Sequence, residues 1–223
     1  MGDCFKSTGD VVKKRRDLSS FDSLRIDRRL NVVLVEDTVN FIEVEAGEHL
    51  QEFIVTDVNN GKLTLRNDNK CNWTRSYKVP VNMELHYTNL HHIVMWGASN
   101  VSNEDTLKTN PLKVEFRDAS GNMELTVDNL ETSIIMHTGA GDMLMHGKTD
   151  ALSVYMASLA YGDYTDLNAR TVYVENKSAA DCRVYAWESF AFRLRGDGNI
   201  YYKGNGEVTL SDKTGRGSIT QIY

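Results

Sequence analysis

The segment His137–Gly147 reads HTGAGDMLMHG and gathers two histidines, an aspartate and a glycine-rich bend within eleven residues. Three chemistries use such parts. A catalytic zinc takes three protein ligands and keeps an open position. His137 and His146 supply two, and Asp142 is the nearest third, but a bend aims it along a sheet edge. A phosphate loop comes after a strand and opens a helix, whose N-terminus supplies the positive dipole. The residues after Gly141 alternate like a strand instead. The calcium-binding nonapeptide repeat needs a nine-residue period and a regular aspartate. The bends of this chain recur at about twice that period, and the aspartate position also holds Asn and Ser. The preferred reading is two ordinary exposed histidines around a turn, with no metal and no cofactor.

Two further groupings could do chemistry. Asp142, Asp163, Asp181 and Asp197 recur at bends, with Arg183 near Asp181 and Arg195 near Asp197. Stacked carboxylates beside basic residues could serve a carbohydrate-active β-helix enzyme. Turn chemistry accounts for the same aspartates without a substrate. The second grouping is aromatic: Tyr185, Trp187, Tyr201 and Tyr202, with Lys203 beside them. Alternation sends Tyr185 and Tyr201 outward. Cross-strand ladder packing is the plain reading. The sharper one is a ligand-binding face made of Tyr185, Trp187, Tyr201 and Lys203, on which sugar rings or a protein could rest.

These residues depend on the elements that carry them. Turn-like stretches recur from about residue 90: GASNVSN, ASGNMELTV, GAGDMLMHG, AYGDYTDL, AADCRVYA, GDGNIYYKG and GRGSITQIY. Small residues anchor them at Ser99, Gly121, Gly141, Gly162, Ala180, Gly198 and Gly217, spaced by 22, 20, 21, 18, 18 and 19. Two positions on stand Val101, Met123, Met143, Tyr164, Cys182, Ile200 and Ile219, all apolar or aromatic. The next column is mostly polar. Period-two alternation marks strands. A column apolar through every repeat implies stacking in register. Upstream of the bends lie further strand-like runs at 113–116, 133–136, 153–156, 171–174 and 190–194. A repeat of this size, with two strands and two bends, is one coil of a β-solenoid. About seven rungs at roughly 4.8 Å each form a rod about 30 Å long. Glycine at the bends is expected to supply positive φ, which Asn and Asp also tolerate.

The N-terminal part is β-rich but less regular. Residues 1–20 read as a tether or first edge strand, with Lys13–Arg16 as a solvated basic arm or a contact for an anionic lipid or polymer. Residues 21–89 read as strands around a short helical stretch at 47–54, capping one end of the solenoid at 90–223 and continuous with it. Pro80 implies an edge position or a strand start. The formal net charge of −6 argues against nucleic acid. No apolar run approaches the roughly 18 residues of a membrane span. Cys4, Cys71 and Cys182 are an odd number without metal-ligand spacing. Isolated thiols are preferred over a Cys71–Cys182 bridge. No signal-like segment precedes Cys4, so the chain is either cytoplasmic or a mature form whose export signal was removed.

Several stretches together resemble a known family. They are FDSLRIDRRLNVVLVED, FIEVEAGEHLQEFIVTDVNNGKLTL, the SGN, GAGD and GDGN bends, and GDGNIYYKGNGEV. Their order and spacing resemble the auto-transporter adhesin head domain of the GIN type, frequent in Bacteroidetes, over about residues 18–215. The resemblance implies a right-handed, pectin-lyase-like parallel β-helix and adhesion at the cell surface, with no catalytic residues to assign. It also implies export with a lipoprotein or secretory signal, making Cys4 a candidate lipid-attachment site. Arg28–Arg29 and Gly206 depart from the family pattern, and Gly206 loosens one bend. The expectation is an exported, surface-anchored, non-enzymatic adhesin binding a glycan or a surface or matrix protein. A carbohydrate-active enzyme and a self-assembling scaffold are the alternatives, and a homo-oligomer stays open.

Overall fold

The computed structural model describes residues 8–69 and 80–223. Cys4 and Cys71 lie outside the described residues, as does the lipid attachment expected at Cys4. The chain is all-β and forms a curled β-solenoid of about seven turns. Ten strands wind it: β8 (His92–Gly97), β9 (Asn100–Asn103), β10 (Leu112–Ala119), β11 (Met123–Met136), β12 (Met143–Met156), β13 (Gly162–Asn176), β14 (Cys182–Leu194), β15 (Ile200–Lys203), β16 (Glu207–Lys213) and β17 (Ile219–Ile222). All pair in parallel. The long strands β11 to β14 bend midway, so each contributes to two walls. Wall A holds β8, β10, the second halves of β11–β14, and β16. Wall B holds β9, the first halves of β11–β14, β15 and β17.

Alternation decides what lies between the walls. On wall A, Ile93, Val114, Ile134, Val154, Val174 and Phe192 stack one above another, as do Met95, Phe116, Met136, Met156, Asn176 and Leu194. All are buried. No coil could bury these side chains alone, so burial and backbone pairing become one event.

The N-terminal strands extend the same ladders. They are β1 (Val11–Asp17), β2 (Ser23–Asp27), β3 (Asn31–Glu36), β4 (Phe41–Gly47), β5 (Ile54–Asn59), β6 (Lys62–Asn67) and β7 (Asn82–Tyr87), with a 3-10 turn at Glu48–Phe53. β2 pairs with both β6 and β8, and β3 with both β7 and β9, all in parallel. Thus β2–β3 is a coil wedged between coils that come later in sequence. Leu63 and Leu24 lie in the Ile93 column. Antiparallel β1, β4 and β5 finish this end.

Strand β1 corrects one expectation. Lys13–Arg16 is not a free basic arm. Lys13 pairs with Glu43 and Glu84. Arg15 lies 3.6 Å above the Phe41 ring. The Arg16 guanidinium donates to the carbonyls of Ile54 and Gln51 at 2.6 and 2.9 Å.

The bend glycines also have a different cause from the one expected. Gly121, Gly141, Gly198 and Gly217 are not in the positive-φ region. A Cβ at Gly121 would stand 1.8 Å from the Ser99 carbonyl oxygen, and one at Gly141 would stand 2.0 Å from that of Gly121. Close approach of consecutive rungs, not backbone handedness, excludes a side chain. The register also moves one anchor. Met143 pairs with Gly162, and Gly162 pairs with Cys182. Gly162 therefore occupies the inward column assigned to Tyr164, and the fully buried Tyr164 ring fills the space it leaves. Asparagines tie the bends together: Asn31 Nδ2 donates to Asn82 Oδ1 at 2.9 Å, and Asn100 Nδ2 to Asn31 Oδ1 at 3.0 Å.

Candidate functional site

The outward positions of the two walls carry two charged clusters. On wall A, Glu115 of β10 is only 2% exposed although it points away from the core columns. Its neighbours cover it. Lys113 and Arg117 flank it at i−2 and i+2, the same side of the strand. His92 and His137 reach it from the rungs on either side. Lys113 Nζ donates to Oε1 at 2.5 Å and Arg117 Nη2 to Oε2 at 2.7 Å. His92 Nε2 and His137 Nε2 each lie 3.0 Å from a carboxylate oxygen. Burial alone would raise the Glu115 pKa, but the hydrogen bonds from Lys113, His137, Arg117 and His92 outweigh it and bring it to about 2. The carboxylate stays charged because its donors were placed for that form.

His137 is thus not an idle surface group; it closes this cluster. His146 lies on the other wall, 3.1 Å from Glu124. The two histidines of HTGAGDMLMHG point to different carboxylates on different walls. Among the described residues, no group of three or more His, Cys, Asp or Glu side chains is arranged to hold a metal. Strand β12 begins at Met143, just past Gly141, so the helix that a phosphate loop requires is not there.

The bend aspartates do not make the groupings their spacing suggests. Asp181 accepts from the Asn199 amide at 2.8 Å. Asp197 pairs with Arg216, and Arg195 with Asp212. Cys182 is a buried free thiol whose pKa burial pushes up. A groove of about 530 Å³ crosses wall A over Ser133 and Ser153, with Lys113, Tyr173 and Glu131 in its lining.

On wall B, four outward residues of two rungs form a square. Arg183 pairs in register with Tyr201, and Tyr185 with Lys203. Cations and rings alternate: the Arg183 guanidinium lies 5.0 Å from the Tyr201 ring centre, and Lys203 Nζ lies 5.7 Å from that of Tyr185. All four are partly exposed. Trp187 sits on the adjoining bend, 47% exposed. Tyr202 turns inward and stacks on Phe190 at 4.8 Å. Gly204 supports the square, since a Cβ there would meet the Tyr185 ring at 2.5 Å. Strand alternation therefore brings Tyr185, Tyr201 and Lys203 to one surface, with Trp187 at its margin. Arg183 completes it. Sequence spacing had set Arg183 against Asp181, because the rung that supplies Tyr201 lies 18 residues on.

The family description for a putative auto-transporter adhesin, head GIN domain, matches residues 20–206. The chain belongs to this family. Three solved structures share the fold of this GIN-domain protein. A putative adhesin from Bacteroides fragilis is 20% identical, with a TM-score of 0.86 over 96% of this chain and 97% of that one. A putative lipid binding protein from Parabacteroides distasonis is 17% identical, with a TM-score of 0.73 over 97% and 98%. A putative adhesin from Parabacteroides merdae is 15% identical, with a TM-score of 0.68 over 97% and 98%. At these identities the likeness establishes the fold. No curated protein matches the chain. Membership supports an adhesin-like surface protein. Among the described residues, no helix is long and apolar enough to cross a membrane.

Proposed function

We propose that this GIN domain is a non-enzymatic adhesin, exported and anchored at the cell surface, that holds a glycan or a surface or matrix protein against wall B. The supporting observation is the square of Arg183, Tyr185, Tyr201 and Lys203 with Trp187 beside it. Its rings offer flat apolar faces with polar edges, which suit sugar rings and protein contacts alike. Its cations rest on rings instead of on carboxylates. Anchoring through an acylated Cys4 fits the family resemblance and belongs to the same reading.

The test is a glycan and matrix-protein array probed with the wild type, Tyr185→Ala and Tyr201→Ala. Binding that both variants lose supports the reading; binding that neither disturbs moves the site elsewhere. A scaffold reading has one observation in its favour. Among the described residues, strands β16 and β17 each pair on one side only, with β14 and β15, and an unpaired edge can recruit another strand. Light scattering across a concentration series decides it, since a scaffold grows with concentration and an adhesin domain does not.

A further inference from the structure

We propose that the wall-B square selects acidic glycans, binding a carboxylate or sulfate between Arg183 and Lys203 while a sugar ring rests on Tyr185 or Tyr201. This inference rests on the adhesin reading and adds a ligand class to it.

The argument starts from charge. The chain carries a net charge of −6, so most cations should find a carboxylate nearby. Lys113, Arg117, Lys177 and Arg195 on wall A do, as do Lys13 and Arg15 on β1. No hydrogen bond or contact ion pair engages the Arg183 guanidinium within the described residues, although its charge and that of Asp163 attract each other across the rungs, and its Nε is buried without a partner. Its terminal nitrogens reach solvent. Lys203 likewise has no acidic partner within the described residues, only the Tyr185 ring 5.7 Å away.

The carboxylates nearest these charges spend their hydrogen bonds elsewhere, although the Asp163 charge still acts on Arg183 at longer range. Asp163 faces Arg183 from the preceding rung. It accepts from the Thr165 hydroxyl at 2.7 Å, the Thr165 amide at 3.1 Å and the Tyr161 hydroxyl at 2.9 Å. Asp181 is taken by Asn199. From the next rung come Thr220 and Ile222, in register with Tyr201 and Lys203 and without charge.

The spacing suits one acid group. Adjacent rungs lie about 4.8 Å apart, and alternate residues of a strand about 6.8 Å apart. The Arg183 and Lys203 backbones therefore sit about 8 Å apart across the diagonal of the square. An anion between their ends meets both, while the tyrosines on the other diagonal offer their faces to the attached ring. Arg183 supplies a planar fork and Lys203 a point charge. Ring stacking holds both cations in place before a ligand arrives.

The experiment is an array of matched glycan pairs that differ only in the acid group: a β-glucuronide against the matching β-glucoside, and 6-sulfolactose against lactose. Wild type should favour each acidic member at least tenfold. Arg183→Gln and Lys203→Gln should each bring it toward the neutral level, and added NaCl should weaken it. The carboxylate and sulfate arms tell which anion fits the fork. Equal binding of acidic and neutral members overturns the inference, as does silence on every acidic member. A preference unchanged in Arg183→Gln overturns it too. Circular dichroism of each glutamine variant shows that the fold persists. Loss of all array binding in Tyr185→Ala without any acidic preference sinks the inference and leaves the adhesin reading standing. Binding and preference that neither tyrosine variant disturbs overturn the inference and move the adhesin site elsewhere.

Discussion

The Glu115 cluster and the Arg183–Lys203 square are built from the same kinds of residue on the same kind of surface. Both lie on outward positions of parallel strands, and both draw their members from neighbouring rungs. They differ in what stands at the centre. On wall A a buried carboxylate gathers Lys113, Arg117, His92 and His137. On wall B tyrosine rings flank the cations, and Asp163, in register with Arg183, spends its hydrogen bonds on Thr165 and Tyr161. The first arrangement answers its charge internally, and the second leaves it to be answered from outside. A ladder geometry that brings like positions together can thus gather cations around a buried carboxylate or set them against rings, according to one residue in the column.

The sharpest way to break this contrast is to remove the fastener. Glu115→Gln leaves two permanent cations and two histidines around a neutral amide. The donors are partly exposed, so solvent softens the loss. The expected cost is about 3 kcal/mol, at the lower end for breaking a buried pair. Urea unfolding monitored by tryptophan fluorescence measures it. A cost under about 0.5 kcal/mol, typical of an unremarkable surface site, would falsify the fastener description.

Acid tests the same residue without changing its size. The folded-state pKa of Glu115 lies at about 2, below its ordinary value of 4.5. A depressed carboxylate contributes stability that is fully present above the ordinary value. That contribution is lost as pH falls from 4.5 toward about 2. Asp37, Asp163 and Asp197 are also held down and lose stability over the acid range. Glu115 is therefore read from the difference between two urea-midpoint curves. Wild type should fall more steeply than Glu115→Gln between pH 4.5 and 2, by up to about 3 kcal/mol. Parallel curves would assign acid sensitivity to the other carboxylates.

Gly204→Ala probes the support beneath the wall-B square. Gly204 takes φ 94, and its missing Cβ leaves room for the Tyr185 ring and the Ala186 carbonyl oxygen. Alanine should cost about 2 kcal/mol through strain and displaced packing. It should also weaken ligand binding more than Trp187→Ala does, because it moves a ring at the centre and not at the margin. Thermal unfolding and the glycan array report the two effects separately.

Much of this contrast was legible in residue order, and the part that was not has a common cause. Period-two alternation identified the inward columns and sent Tyr185 and Tyr201 outward. The bend glycines were recognised, but their reason was not, since contact with Ser99 or Gly121 exists only once rungs stack. Counting from Gly162 failed because Gly162 itself pairs with Met143 and Cys182, in the column two positions past the anchors. Small residues mark a bend without fixing its register. Glu115 gave little sign because two of its partners lie more than 20 residues away. The trace it left is local: Lys113, Glu115 and Arg117 alternate on one side of a strand. Arg183 was read against Asp181, its chain neighbour, when its true neighbour is one coil further on.

The smallest expected effect on stability is the most informative. Arg183→Gln removes a cation that makes no contact ion pair among the described residues, so unfolding has little to register beyond its stacking on Tyr201 and a longer-range attraction to Asp163. That contact is worth about 0.5–1 kcal/mol at a partly exposed site. Glu115→Gln and Arg183→Gln each delete one charge from a cluster of similar size, and the former should cost several times more. If Arg183→Gln proves equally destabilising, the guanidinium has an internal role and the two clusters are both fasteners. If it unfolds like wild type while its preference for acidic glycans falls, the charge on wall B has been kept for something outside the chain. Strand pairing would then have fixed the geometry on both walls, leaving the central side chain to decide whether a cluster locks or binds.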